Sequence, residues 1–172
     1  MSDALPPEVM KLLESRAVRL AAPPRALESE EDNDWFATFA VGDLDVAIPL
    51  SQLRAALPLK RVTPVPLAPP EVVGVLRWSG LVLTVFSLAF MLGGQASRSD
   101  SSYLIVVERG PSRLVAFDCA QIPLAITRPA REVELARARA TGPLVDVPRG
   151  TGVLSIIDIA ALLERWESGR GA

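Results

Sequence analysis

The chain has 172 residues, 49% of them apolar, and a formal charge of -2 at pH 7. That length fits one domain, or two small lobes sharing a core, and the mild negative charge argues against nucleic acid, since phosphate binding needs a concentrated positive field. One cysteine, Cys119, and no histidine exclude a disulfide framework, Ser–His and Cys–His nucleophiles and His-ligated metals.

In chain order, the first residues, MSDALPPEVM, lack the basic and apolar regions of a signal peptide. No apolar run approaches the ~18 residues a spanning helix needs, so no membrane insertion is expected and the expected location is the cytoplasm. Residues 1–20 read as an amphipathic helix, with Val9, Leu12, Leu13, Ala17 and Leu20 on one face. Residues 21–34, AAPPRALESEEDND, bear prolines and then acids, and read as a solvated linker. A domain is expected over 35–168, followed by a tail at 169–172.

From Trp35 the pattern has period two. Ala37, Phe39 and Val41 alternate with Thr38 and Ala40, Gly42-Asp43 makes a turn, and Leu44, Val46, Ile48 and Leu50 share a face, which predicts a β-hairpin. Ser51 is placed to cap one helical turn, QLRAAL, stopped at Pro58. Residues 58–71 hold Pro58, Pro64, Pro66, Pro69 and Pro70 and are expected to run extended with little ladder pairing.

Residues 71–92, EVVGVLRWSGLVLTVFSLAFML, are the most informative stretch. Two apolar, β-branched runs turn back on each other at Ser79-Gly80, because Gly accepts the positive φ of tight hairpin turns. Gly74 marks a close approach, Ser87 is placed to cap a short helix, and Gly93 to end it. No reactive group sits in this unit; it is built to present a surface.

A polar loop follows at 93–102, then a hairpin of 103–108 with 113–117 around Arg109-Gly110-Pro111-Ser112, then a strand at 121–127. Residues 129–141 have helix-forming composition with an apolar face limited to Val133 and Leu135. Residues 144–147 and 153–157 pair around Pro148-Arg149-Gly150. Asp158 caps a last helix with Ile159, Leu162, Leu163 and Trp166 at helical spacing. Cys119, after the strand-like RLVAFD, reads as a small core residue. The sum is about eight or nine short strands with few helices, a sandwich or barrel pattern.

No catalytic constellation emerges. GGQAS at 93–97 lacks the Lys-Ser/Thr of a phosphate cradle. Asp43, Asp45, Asp118, Asp146 and Asp158 fall at turns, strand ends and caps, with no sequence setting that pairs them for acid–base work. The chain reads as no enzyme, with no cofactor and no metal.

These segments together resemble the CheW-like domain of bacterial chemosensory adaptors. FATFAVGDLDVAIPLSQL, VTPVP and VVGVLRWSGLVLTVFSL carry the specific part, and YLIVVERGPSRLVAFD and TGPLVDVPRGTGVLSIIDIAALL match more loosely, over about residues 35–166. The resemblance implies an all-β fold of two small five-stranded SH3-like barrels packed together. It implies a non-enzymatic adaptor that couples the cytoplasmic hairpin tip of a chemoreceptor to the regulatory domain of a CheA-type histidine kinase. A receptor hairpin would lie in an apolar groove between the lobes. The positions that match this groove are Leu53 on the first short helix, Gly74, and the tip residues Arg77, Trp78, Ser79, Gly80 and Leu81.

The departures are informative. The family turn reads Asn-Leu-Arg-Gly, whereas here it is Arg77-Trp78-Ser79-Gly80, so Ser79 stands where the family has a partner-binding arginine. Arg77, two residues away and so on the same face of a strand, is placed to substitute for it, and Trp78 to serve as an aromatic anchor. Ser87 replaces an Asp before the helix. Residues 118–142 form a shorter stretch than is usual, which points to a second barrel lacking part of a strand or loop. The expectation is an accessory adaptor, of the kind found in gliding-motility chemosensory systems, with weakened or lost kinase contact. The alternative is a small β-barrel regulatory domain that binds a small ligand in the groove; a dry groove without converging polar groups would favour the peptide.

Overall fold

Alternating burial along the chain builds two sheets. The computed structural model describes residues 32–94, 101–110 and 113–169. The helix expected at 1–20, the linker up to residue 31, most of the 93–102 loop and the last three residues lie outside those described. The elements are β1 (Asn33–Val41), β2 (Leu44–Pro49), β3 (Leu53–Pro58), β4 (Val62–Thr63), β5 (Val72–Trp78), β6 (Leu81–Phe86), α1 (Leu88–Met91), β7 (Tyr103–Gly110), β8 (Arg113–Cys119), β9 (Leu124–Pro129), α2 (Ala130–Arg137), β10 (Leu144–Arg149), β11 (Gly152–Ile157) and α3 (Ile159–Gly169).

The first sheet has the order β10-β11-β2-β1-β9 and the second β3-β7-β8-β6-β5-β4. Each curls into a small half-barrel, as the expected pair of SH3-like barrels requires. All pairings are antiparallel except β11 with β2 and β6 with β8. The middle of the chain therefore forms the second lobe, and its two flanks close the first.

Three apolar cores result. Phe36, Ala47, Val133, Val145, Val147, Leu154 and Ile156 fill the first lobe. Leu76, Leu83, Val85, Leu104, Val106 and Ala116 fill the second. The largest core joins the lobes: Ala37, Phe39, Val46 and Ile48 of the first sheet meet Phe86, Ile105, Val107 and Phe117 of the second, with Ile159, Leu162 and Leu163 of α3. β1 is thus buried on both faces, since Phe36 points into its own lobe while Ala37 and Phe39 point at the other. Thr38 survives there because its hydroxyl donates to the Val46 carbonyl at 2.9 Å.

Several sequence readings change. The stretch QLRAAL is not a helical turn capped by Ser51. Residues Leu50–Gln52 make a 3-10 turn after Pro49 with no side-chain cap, and Leu53–Pro58 is a strand. Burial there alternates from Leu53 to Pro58, and pairing with β7 overrides the helix propensity of Leu and Ala. β3 and β4 bring the described strands to eleven, and the two-residue β4 gives the second sheet a sixth strand. β1 begins at Asn33, inside the stretch read as linker, and β9 begins at Leu124 rather than at residue 121. The short 118–142 segment, expected to shorten the second barrel, instead runs through β9 and α2 of the first lobe, whose sheet keeps five strands.

Helix ends also differ. Asp158 caps α3 as expected, accepting from the Ala161 N–H at 3.0 Å. Ser87 occupies the N-cap position of α1, but its side chain makes no cap bond. The cap comes from β8: the Asp118 carboxylate accepts from the Leu88 N–H at 2.9 Å and from the Ser101 hydroxyl at 3.0 Å. Ser87 hydrogen-bonds this carboxylate instead.

Candidate functional site

The β5–β6 hairpin forms as its sequence predicts, with Trp78 opposite Leu81 and Arg77 opposite Val82. Its turn places both Ser79 and Gly80 at positive φ, 47° and 81°, which is the backbone of the two-residue turn that matches strand twist. A serine in that region is uncommon for a residue with a Cβ. Because Ser79 belongs to the turn, the period-two argument that put it on one face with Arg77 does not hold.

The tip has two faces. Trp78 and Leu81 continue the row of Leu76, Leu83 and Val85, so the half-buried Trp78 packs against the second lobe's interior. Trp78 is therefore partly a core residue. Arg77 and Val82 lie on the outer face; Arg77 is exposed and Val82 is 71% exposed. Leu81 is half exposed at the end of the inner row.

Gly74 sits inside β5 at a break in register. A Cβ there would lie 2.4 Å from the Thr63 carbonyl oxygen, so β4 covers this glycine directly. Leu53 opens β3, at the other side of the sheet order from β5, and packs partly buried against the interlobe core. The fold thus gathers residues 77–81 in one tip and leaves Gly74 and Leu53 in structural surroundings of their own.

Behind the tip lies a rigid joint. The Ser87 N–H donates to the Glu71 carbonyl at 2.7 Å, and the Glu71 carboxylate accepts from the Trp166 indole N–H at 2.6 Å. The Trp166 ring meets Phe86 edge-on with centroids 4.7 Å apart. Burial raises the Asp118 carboxyl above its ordinary value, against the lowering effect of its hydrogen bonds to Leu88, Ser101 and Ser87. Burial, with Asp118 adjacent, pushes the Cys119 thiol up to about 12, so this cysteine is an inert core residue.

A groove of about 1070 Å³ runs between the lobes, lined by α1 and the turn after it, by α2, β10 and α3. None of the seven residues expected to bind a partner lines it. Its walls combine Phe90, Leu92 and Trp166 with Arg128, Glu132, Arg139 and Arg165. This groove is therefore not a dry one, since polar groups converge in it. Arg128 donates through Nη2 to the Pro148 carbonyl at 2.6 Å, while its Nε is buried without an acceptor among the described residues. Sequence reading missed this groove, because its walls join α1 to the later elements β9, α2, β10 and α3, and each carries only ordinary surface residues. A smaller cleft of about 390 Å³ lies beside β6 and includes Leu81. No helix among the described residues is long and apolar enough to cross a membrane.

Comparison with known proteins gives these features a family. No curated protein matches the chain. The crystal structure of the scaffolding protein TtCheW from Thermoanaerobacter tengcongensis is similar to this fold, with a TM-score of 0.65 at 16% identity, covering 76% of this chain and 92% of that one. A family model described as the CheW-like domain matches residues 36–167, from the first buried aromatic of β1 through to α3, and so through both lobes and the core between them. The chain belongs to the CheW-like domain family.

Proposed function

We propose that this protein is a non-enzymatic scaffold of a chemosensory array, coupling the cytoplasmic tip of a chemoreceptor to a CheA-type histidine kinase. The observation that carries this reading is the family match across both lobes, residues 36–167. The exposed β5–β6 tip supports it, because it offers a cation and apolar side chains on a rigid hairpin. Arg77 stands on the outer face of that tip beside the exposed Val82 and takes the part of the missing arginine at position 79, while Leu81 and the exposed edge of Trp78 supply apolar contact from the other face.

The test titrates the full chain with a soluble receptor tip and, separately, with the kinase regulatory domain. Arg77→Glu is expected to weaken receptor binding by roughly tenfold or more while leaving the fold intact. Unchanged affinity would remove the tip from the interface. The weakened kinase contact rests on the short 118–142 stretch, and the kinase titration is expected to give the weaker of the two bindings. Tight stoichiometric kinase binding would overturn that part.

A second reading has its own observation. The interlobe groove carries three arginines, one with an unmatched Nε, beside the carboxylates Glu71, Glu132 and Asp146, which suits a small polar ligand with an anionic group. Thermal-shift measurements against carboxylate and phosphate metabolites and against receptor-tip peptide separate the two: stabilisation by the small anions alone would favour this second reading.

A further inference from the structure

β6 meets β8 only at its far end. Val85 faces Ala116 and Phe86 faces Phe117 in parallel register, whereas β6 pairs with β5 from Leu81 onward on its other side. β8 is likewise engaged by β7 along its length. Toward Leu81 and Arg113 the two strands part, and the cleft of about 390 Å³ opens between them, flanked by Leu163 and Trp166 of α3. The β8-facing edge of residues 81–84 has no strand beside it among the described residues. Unpaired edges of this kind template the addition of another strand.

The side chains around this edge grade from apolar to cationic. Leu83 and Val115 are buried at its base and Val82 is exposed at its rim. Arg109, Arg113 and Glu167 line it as well. Arg109 grips both carboxylate oxygens of Glu167, at 2.5 and 3.0 Å, which holds that carboxyl below its usual range. Arg113, an exposed guanidinium whose charge also lowers the Glu167 carboxyl, stands at the rim with this pair among the described residues.

We infer that the cleft accepts a short, extended, acidic segment of a partner protein, which adds as a strand on the free edge of β6 and sets a carboxylate against Arg113. Main-chain bonds along the edge supply affinity, and alternate side chains entering the cleft supply selectivity. The wedge closes where β6 and β8 pair, so the segment is short, about three or four residues at ~3.3 Å each. The proposal does not depend on the adaptor reading, and its test avoids Leu81, which belongs to both surfaces.

The test uses the 15N-labelled full chain and two capped peptides of about six residues, alternating valine with glutamate or valine with lysine. The glutamate peptide is expected to shift amides of residues 82–84 and 113–115, with weaker response at high salt. Arg113→Glu is expected to weaken that peptide roughly tenfold and to favour the lysine peptide instead. Thr84→Glu, also exposed in the cleft, serves as a second charge variant should Arg113→Glu fail to fold. Shifts centred elsewhere, equal response to both peptides, or indifference to both variants would overturn the proposal. Concentration-dependent self-association at this edge without any peptide response would overturn it too, by making a second copy the occupant.

Discussion

At its Phe86 end the β5–β6 hairpin is enclosed by Phe117, Trp166 and the Asp118 cap, whereas at its Ser79 end it stands in solvent. The enclosed end uses side chains from two distant parts of the chain to fix one geometry. The solvent end uses two backbone torsions at positive φ and leaves its outer side chains uncommitted. A surface held out for a partner thus costs little of the fold, because the strands that carry it are anchored at the other end. Rigid elements present such residues more accurately than loops do.

Substitutions at the two ends should therefore separate sharply. Phe86→Ala removes a ring shared by Phe117 and Trp166 and is expected to cost about 3–5 kcal/mol in urea unfolding; a cost below about 1 kcal/mol would mean that the enclosed end does not hold the lobes. Gly74→Ala lies between the ends. The added methyl meets the Thr63 carbonyl oxygen at 2.4 Å, so a loss of about 1–3 kcal/mol is expected, with faster hydrogen exchange in β4. A neutral Gly74→Ala would show that β4 gives way freely.

Asp118 sharpens the comparison through pH. Its carboxyl is raised above the ordinary 3.8, so the native state binds this proton more tightly than the unfolded chain does. The stability contributed in this way is complete below pH 3.8 and is lost as pH rises through the raised value. Asp118→Asn keeps an acceptor for the Leu88 N–H and has no proton to lose. Its stability relative to the native chain is expected to improve between about pH 3.5 and 7, read as urea midpoints; a constant difference would deny the effect. The smallest change is expected at the tip. Ser79→Asn suits the left-handed backbone better and is expected to stabilise by about 0.5 kcal/mol, seen as a small rise in melting temperature. A destabilising result would mean that the serine makes a contact of its own.

The sequence made some of this legible and hid the rest for physical reasons. The β5–β6 hairpin and α3 were readable because their signals are local: Ser79-Gly80 between β-branched runs, and Asp158 ahead of Ile159, Leu162 and Leu163. β3 was not, because Leu53, Ala55 and Leu57 favour a helix in isolation and only pairing with β7 makes them a strand. The true cap of α1 was hidden because Asp118 lies 30 residues from Leu88. The outlook of the tip was half readable: Gly80 takes the positive φ read for it and Arg77 is exposed, but Trp78 divides its ring between surface and core. The interlobe groove was invisible, since its charges, from Glu71 through Arg128, Glu132, Arg139 and Asp146 to Arg165, meet only after the lobes pack.

The order in which strands join has a consequence for how the chain is made. The second sheet is complete once Cys119 has left the ribosome, and its contacts are mostly between neighbours in sequence, which favours early folding. β1 and β2 must wait much longer, since Asp45 finds its partner only when Leu154 arrives. Until then the apolar faces of Ala37 and Phe39 have one finished surface to rest on, the inner side of the completed middle lobe. The middle lobe's share of the interlobe core is thus also a cradle open to the first hairpin during synthesis, and a chain halted after β8 would be a half-built protein with that share in place and the α3 side chains still to come.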